Sequence, residues 1–230
     1  MEVTLLAYTQ LNPNVANLPT ELVNDGKGTA QENLIEYAGR VCYRSTDRMG
    51  HSAEFLAARI REGHEDIIEH ASATFLIDGI SRACSHQLVR HRLASFSQES
   101  QRYTELGETA AFIVPESIAN NPEAHRVWDS LLEQIEEAYR QFRDLRIRKE
   151  DARFLLPNAT STRLVMSMNY RSLRHFFWLR CDKAAQWEIQ NLAREMLRLI
   201  YPTAPSIFQD IVDAYELHDV IRQNNAGTSA

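Results

Sequence analysis

The chain has no apolar run approaching the roughly 20 residues that cross a bilayer as a helix, and no CxxC pair and no glycine-rich phosphate loop. The first absence removes the expectation of a membrane partner. Met1-Glu2-Val3-Thr4 lacks a basic leader followed by an apolar stretch, so no secretory signal is expected. Cys42, Cys84 and Cys181 are odd in number and widely spaced. A disulfide framework or a cysteine zinc site is therefore not expected, and a reducing cytoplasm is the natural compartment. Neither GxGxxG nor GxxxxGK[ST] occurs, so a bound nucleotide must be gripped by side chains rather than by backbone amides. Glycine and proline are sparse, at 8 and 7 of 230 residues, and no repeat, low-complexity tract or linker is visible.

What is present is an ordinary globular composition, 44% hydrophobic and 24% charged, with ample length for a core. One domain over residues 1–221 is expected, with 222–230 as a polar, flexible tail. The net charge of −6 argues against a general nucleic-acid coat. Positive charge is nonetheless clustered. Arg82, Arg90, Arg92 and Arg102 form one group, and Arg163, Arg171, Arg174 and Arg180 a second. Two arginine clusters inside an acidic protein point to a small anionic ligand.

Alternation predicts strands at 3–8, at 73–77 closed by Asp78-Gly79, and at 163–168, with a short one at 111–114. Helical spacing predicts helices over 34–42, 54–61, about 80–92, 131–145, 171–180, 189–200 and 206–216. In the 131–145 helix, Glu136 and Arg140 stand at the i,i+4 separation of a favourable pair. The segment 93–111 reads as irregular. Strands and helices alternate without a βαβ rhythm, which favours an α+β fold with a mixed or antiparallel sheet flanked by helices.

The densest chemistry lies in Arg90-His91-Arg92-Leu93-Ala94-Ser95-Phe96-Ser97-Gln98-Glu99-Ser100-Gln101-Arg102. Arginine forks bind phosphate in bidentate fashion, and Ser or Gln can read a base edge. The plain alternative is a solvated basic helix end followed by a polar loop. The order Arg90, His91, Arg92, Ser95, Ser100, Arg102 resembles the signature of flavin-dependent thymidylate synthases. The resemblance continues through Gly63-His64 to Glu69-His70, Leu156 to Thr160, Asn169 to His175 and Ala185 to Ile189.

That resemblance implies FAD held within a homotetramer, dUMP as substrate, NADPH as reductant and methylenetetrahydrofolate as one-carbon donor. By it His64, Asp66, Arg90, His91, Arg92, Gln98, Asn169, Arg171 and His175 would contact FAD. Gln87, Arg90, Gln98, Glu99, Ser100, Gln101, Arg102, Arg153 and Arg180 would hold dUMP, with Ser100 and Arg102 at the phosphate end. Arg180 would stand at the pyrimidine edge as the catalytic residue, stabilising negative charge on the uracil ring. The chain departs from the pattern at Asp66, where a hydroxyl residue is expected, and at Ala184, where several relatives carry His. Gln98 replaces the Glu of some relatives, so no carboxylate is needed there.

Cys181 follows Arg180, which could activate a thiolate, but its apolar surroundings in sequence read it as a small buried residue. Ser100 has no His–carboxylate pair assigned to activate it. His64-Glu65-Asp66-Ile67-Ile68-Glu69-His70 misses both HExxH and HxxEH, so no metal is expected. Phe176, Phe177, Trp178 and Trp187 read as core. Two other functions stay open at this point: a non-catalytic nucleotide- or RNA-binding module built on the arginines, and a metal hydrolase built on His64 and His70.

Overall fold

The computed structural model describes residues 1–12, 14–15, 18–20, 22, 28–104 and 112–222. Among them are β1 (Glu2–Tyr8), α1 (Ala30–Cys42), α2 (Ser52–Arg61), β2 (Ser72–Ser81), α3 (Arg82–Leu88) and β3 (Ser95–Gln98). There follow α4 (Glu116–Ala119), α5 (Pro122–Asp144), α6 (Lys149–Ala152) and β4 (Ser161–Asn169). The chain continues through α7 (Tyr170–Arg180), α8 (Trp187–Ile200), α9 (Pro205–Ala214) and α10 (His218–Arg222). The fold is α+β, as expected, with one antiparallel sheet in the order β1-β2-β4-β3.

The two central strands show why they form. In β4 Leu164, Met166 and Met168 are buried while Arg163, Val165 and Ser167 are not, the period of two of a half-buried strand. In β2 Ala73, Phe75 and Ile77 are buried in the same rhythm. The rhythm then slips, because Ile80 is buried as well. Gly79 takes φ +72°, so Asp78-Gly79 kinks the strand instead of ending it there, and β2 runs on to Ser81. The expected end at residue 79 is corrected accordingly. Ser81 then caps α3, its Oγ accepting from the Cys84 N–H at 3.0 Å. The helix therefore starts at Arg82 and stops at Leu88, leaving Arg90 in the turn beyond it rather than inside a helix to 92.

The chain divides into two compact units. The first comprises Met1–Glu2, Ile77–Arg90 and Phe96–Val165. Its buried side chains include Ile77, Ile80, Cys84, Leu88, Tyr139 and Leu164. The second comprises Val3–Leu76, His91–Ser95 and Met166–Ala230. Here α7, α8 and α9 bury Phe176, Phe177, Leu192, Met196, Phe208 and Ile211 completely. The Phe176, Phe177 and Phe208 rings pack in succession, the first pair tilted and the second edge-on, with neighbouring centroids 5.5 and 5.8 Å apart.

Several local expectations are corrected. β3 forms within the segment read as irregular: only four residues long, it is too short to show periodicity. Around 111–114 an isolated bridge of Phe112 to Thr160, beside an Ile113 N–H bond to the Ala159 carbonyl at 2.9 Å, replaces the expected strand among the described residues, and Ala111 lies outside them. Trp178 and Trp187 are 37% and 40% exposed, so of the aromatic run only Phe176 and Phe177 are core. In α5 just Tyr139 is buried, while Leu131 and Leu145 stand 53% and 73% exposed. Arg140 pairs with Glu137 at 3.1 Å rather than with Glu136, since i,i+3 neighbours are as close on a helix as i,i+4. At the C-terminus a further helix, α10, extends to Arg222, and 223–230 of the expected tail fall outside the described residues.

Candidate active site

In the second unit the sequence-predicted residues are arranged by α7. Asn169 is its N-cap, with Oδ1 accepting from the Ser172 N–H at 2.8 Å. From there Leu173, Phe176 and Phe177 face the core while Arg171 and His175, one turn apart, face outward. Arg174 points inward and is satisfied there. Its guanidinium bonds both oxygens of Asp210 at 2.7 and 2.8 Å, Glu65 at 3.3 Å and the Ile207 carbonyl. A buried, bidentate arginine of this kind locks the helix in place. Arg171 pairs with Glu69 at 2.6 Å, an exposed pair.

Arg180 ends the helix and meets His91. Its Nε donates to His91 Nε2 at 3.0 Å. That ring nitrogen is thus an acceptor, which assigns the remaining imidazole proton to Nδ1. The ring also stands edge-on to Phe176 at 4.9 Å and lies 6.3 Å from His175. Burial first, then the charge of Arg180, then His175 pull the His91 pKa from 6.5 down to about 4. A neutral imidazole at neutral pH therefore steadies a permanently charged guanidinium, and the two terminal nitrogens of Arg180 remain available to a ligand.

In the first unit, β3 and the turn after it carry Gln98 to Arg102. Gln98 donates through Nε2 to Thr162 Oγ1 at 3.2 Å, and the Glu99 N–H continues the pairing to the Arg163 carbonyl at 2.9 Å. The chain then turns over Ser100, whose Oγ accepts from the Arg102 N–H at 3.3 Å. Arg102 pairs with Glu150 at 2.9 Å. Arg153 donates to the Glu150 carbonyl at 3.2 Å. Arg82 is lowered in pKa by burial and by the like charge of Arg153, which brings those two guanidiniums into one neighbourhood. Gln87 is half-buried on α3.

A cavity of about 520 Å³ opens beside Arg102. Sequence reading missed it. Arg143, Arg146, Arg148 and Lys149 line it with Arg102, Tyr103 and Glu150 among the described residues. The available signal was the local run of four cations between 143 and 149, hidden behind the amphipathic pattern of α5.

Other expected contacts stay apart from these groups in their bonding. His64 and Asp66 are exposed, and neither makes a side-chain bond among the described residues. No cluster of three metal-ligating side chains occurs among those residues either. The Cys181 thiol is fully buried and pushed up to about 12 by desolvation, which rules it out as a thiolate nucleophile at neutral pH. Arg90 and Arg92 are exposed and unpaired among the described residues. Unopposed guanidiniums flanking a neutral imidazole in sequence suit a ligand bearing phosphates and a planar ring, so the donor set fits a flavin nucleotide. Among the described residues no helix is long and apolar enough to cross a membrane.

A sequence model of the family described as thymidylate synthase complementing protein matches residues 23–206. The flavin-dependent thymidylate synthase of Geobacter sulfurreducens is 46% identical over 188 residues, covering 78% of this chain and 81% of the relative. That of Pyrococcus furiosus is 42% identical over 169 residues, 71% of this chain and 69% of its own length. That of Mycobacterium marinum is 38% identical over 198 residues, covering 78% and 79%.

Proposed function

Since this chain belongs to the thymidylate synthase complementing protein family, an enzyme family, we propose that it converts dUMP to dTMP by reductive methylation. In this proposal residues 1–221 act as one catalytic domain. Methylenetetrahydrofolate provides the carbon, FAD is the bound cofactor and NADPH is the reductant. The methylene carbon joins uracil C5, the C5 proton leaves, and a hydride completes the methyl group. The overall balance is dUMP, methylenetetrahydrofolate, NADPH and a proton giving dTMP, tetrahydrofolate and NADP⁺. When bound, the flavin supplies that hydride.

The observation that carries this reading is the Arg180–His91 bond at 3.0 Å. A guanidinium held by a neutral imidazole can face negative charge developing on a uracil carbonyl without losing a proton to its holder. Arg102, with Ser100 and the backbone of Glu99 and Gln101, is assigned to the dUMP phosphate. Gln87, Arg90, Gln98 and Arg153 complete the nucleotide contacts. His91, Arg92, Asn169, Arg171 and His175 are assigned to FAD together with Arg90, Gln98, His64 and Asp66. Asn169 is already engaged in capping α7 through its carbonyl oxygen, which leaves its amide as the donor to a cofactor.

A homotetramer is part of the proposal. Its support is the apolar surface left open on one chain, with Leu93 80%, Phe154 84% and Leu145 73% exposed. Light scattering that returned a monomer would remove this part alone. Three free cysteines are compatible with a cytoplasmic setting. The non-catalytic RNA-binding alternative finds no support in the relatives, which are named as enzymes.

The deciding experiment is NADPH-dependent release of tritium from [5-³H]dUMP with methylenetetrahydrofolate present. Release is expected only when FAD is bound. A protein that takes up no FAD and releases no tritium would end the proposal.

A further inference from the structure

The outward face of α7 carries an aromatic side chain, Trp178, that neither the core nor the proposed reaction uses. At about 3.6 residues per turn, Arg171, His175 and Trp178 fall within about 60° of one another around the helix, and all three are exposed. Trp178 is nonetheless held in place. The hydroxyl of Tyr215, the residue that ends α9, donates to the Trp178 carbonyl at 2.6 Å. The Tyr215 ring stands edge-on to the indole, with centroids 5.5 Å apart. One turn back along α7, His175 lies 6.3 Å from His91, the residue that holds Arg180. Rings of His91, His175, Trp178 and Tyr215 thus follow one another within the second unit, starting beside the proposed catalytic group.

The order of these side chains along the helix matches the order of groups in a flavin nucleotide. Arg171 stands in the first turn of α7, and at about 1.5 Å per residue Trp178 lies about 10 Å further along. A guanidinium suits the phosphates and an indole suits a planar ring. The ring that passes a hydride to uracil has to lie towards Arg180, and Trp178 is in the same last turn of α7 as Arg180. Large aromatic side chains gain most from being covered, and at 37% exposure this one leaves part of its ring open to a ligand.

We propose that Trp178 is a cofactor contact whose indole packs against the isoalloxazine ring of FAD. The inference rests on the FAD and dUMP orientation proposed above and adds to it a residue with its own optical signature. Excited isoalloxazine takes an electron from an adjacent indole or phenol and gives it back without emitting light, so the pair is unchanged and the emission is lost. Phenylalanine and leucine side chains do not donate that electron. Stacking and quenching can therefore be separated by the choice of substitution.

The test compares the full-length, FAD-loaded parent with Trp178→Leu, Trp178→Phe and Trp178→Tyr, substitutions at an exposed helical position that leave the core intact. Emission of the bound flavin and the dissociation constant for FAD, obtained by dilution of the loaded protein, are the two readouts. Trp178→Leu is expected to raise the emission at least about threefold and to weaken FAD by about threefold to tenfold, the scale of one aromatic pair. Trp178→Phe should hold FAD within about twofold of the parent yet emit as the leucine variant does, and Trp178→Tyr should keep both properties. Emission from Trp178→Leu within about twofold of the parent would overturn the contact; if FAD binding weakened at the same time, the indole would belong with another part of the nucleotide. A fall in the oligomeric mass of Trp178→Leu, read by light scattering, would also overturn it, by assigning the indole to an interface between copies. A parent that takes up FAD beside an unresponsive Trp178→Leu sinks this inference alone, whereas a parent that takes up no FAD ends the reading on which it rests.

Discussion

Two groups of arginines, one in each unit, are held in opposite ways. In the second unit the three on α7 each have their own partner: Arg174 lies between Asp210 and Glu65, Arg171 on Glu69, and Arg180 on the His91 imidazole. In the first, Arg102 and Arg148 share Glu150, and Arg146 is unpaired among the described residues. Individually partnered guanidiniums are rotationally fixed, which suits stabilisation of charge at one atom of a reacting ring. Crowded guanidiniums around one carboxylate generate potential rather than direction, which suits capture of a phosphate. Geometry is what the second unit contributes to the proposed chemistry, and field strength is what the first contributes.

That contrast breaks most decisively at Arg180. Arg180→Ala is expected to lower dTMP formation by about 10³-fold, the scale for losing a preorganised charge donor, with the flavin absorbance of the purified protein retained. Arg180→Lys should recover little, since an ammonium cannot both donate to His91 and keep a fork for the ring. Turnover within tenfold of the parent in Arg180→Ala would remove Arg180 from the reaction. Next in size is stability. Arg174→Leu strips a buried cation from two carboxylates and should cost about 3 kcal/mol in urea unfolding. Arg148→Gln, at an exposed and crowded position, should leave the midpoint almost unchanged. Equal losses in the two variants would erase the distinction between the units.

A third test concerns binding alone. Arg102→Ala should raise the KM for dUMP by roughly tenfold to a hundredfold, as expected for a lost charge-assisted phosphate contact, and change kcat far less. A fall in kcat with KM unchanged would contradict the phosphate assignment. The smallest expected effect is on pH dependence. The folded-state pKa of His91, about 4, lies below its ordinary 6.5, so the unfolded chain takes up the proton first. The stability due to neutral His91 is complete above about 6.5 and is lost as pH falls towards about 4. Subtracting the thermal-melting profile of His91→Asn from that of the parent should leave a slope confined to this window. A flat difference would mean that His91 titrates normally.

Most elements were legible because their signals are local. The alternation in β4 and the spacing of Ile189, Leu192, Met196 and Ile200 in α8 identify those elements within a few residues of their observed ends. Where local signals compete, the reading failed. Asp78-Gly79 is a turn signal in isolation, but pairing on both sides keeps β2 extended through it. Four-residue β3 shows no periodicity and exists through its bonds to β4. The hydrophobic stripe of α5 was visible, yet nothing in it states that Leu131 and Leu145 would remain uncovered on a single chain.

The candidate site divides along the same line. Its residue types and their spacing, from Arg90 through Arg102 and from Asn169 through Arg180, are properties of the chain, and so is the family to which they point. Which nitrogen faces which could not be read there, because it depends on side chains 89 positions apart meeting at hydrogen-bonding distance. The tertiary structure alone decided that His91 accepts from Arg180 and stays neutral, since burial and a neighbouring charge, not residue type, set its proton affinity. It also turned the cations between 143 and 149 into one cavity with Arg102, a concentration of charge that linear spacing does not display.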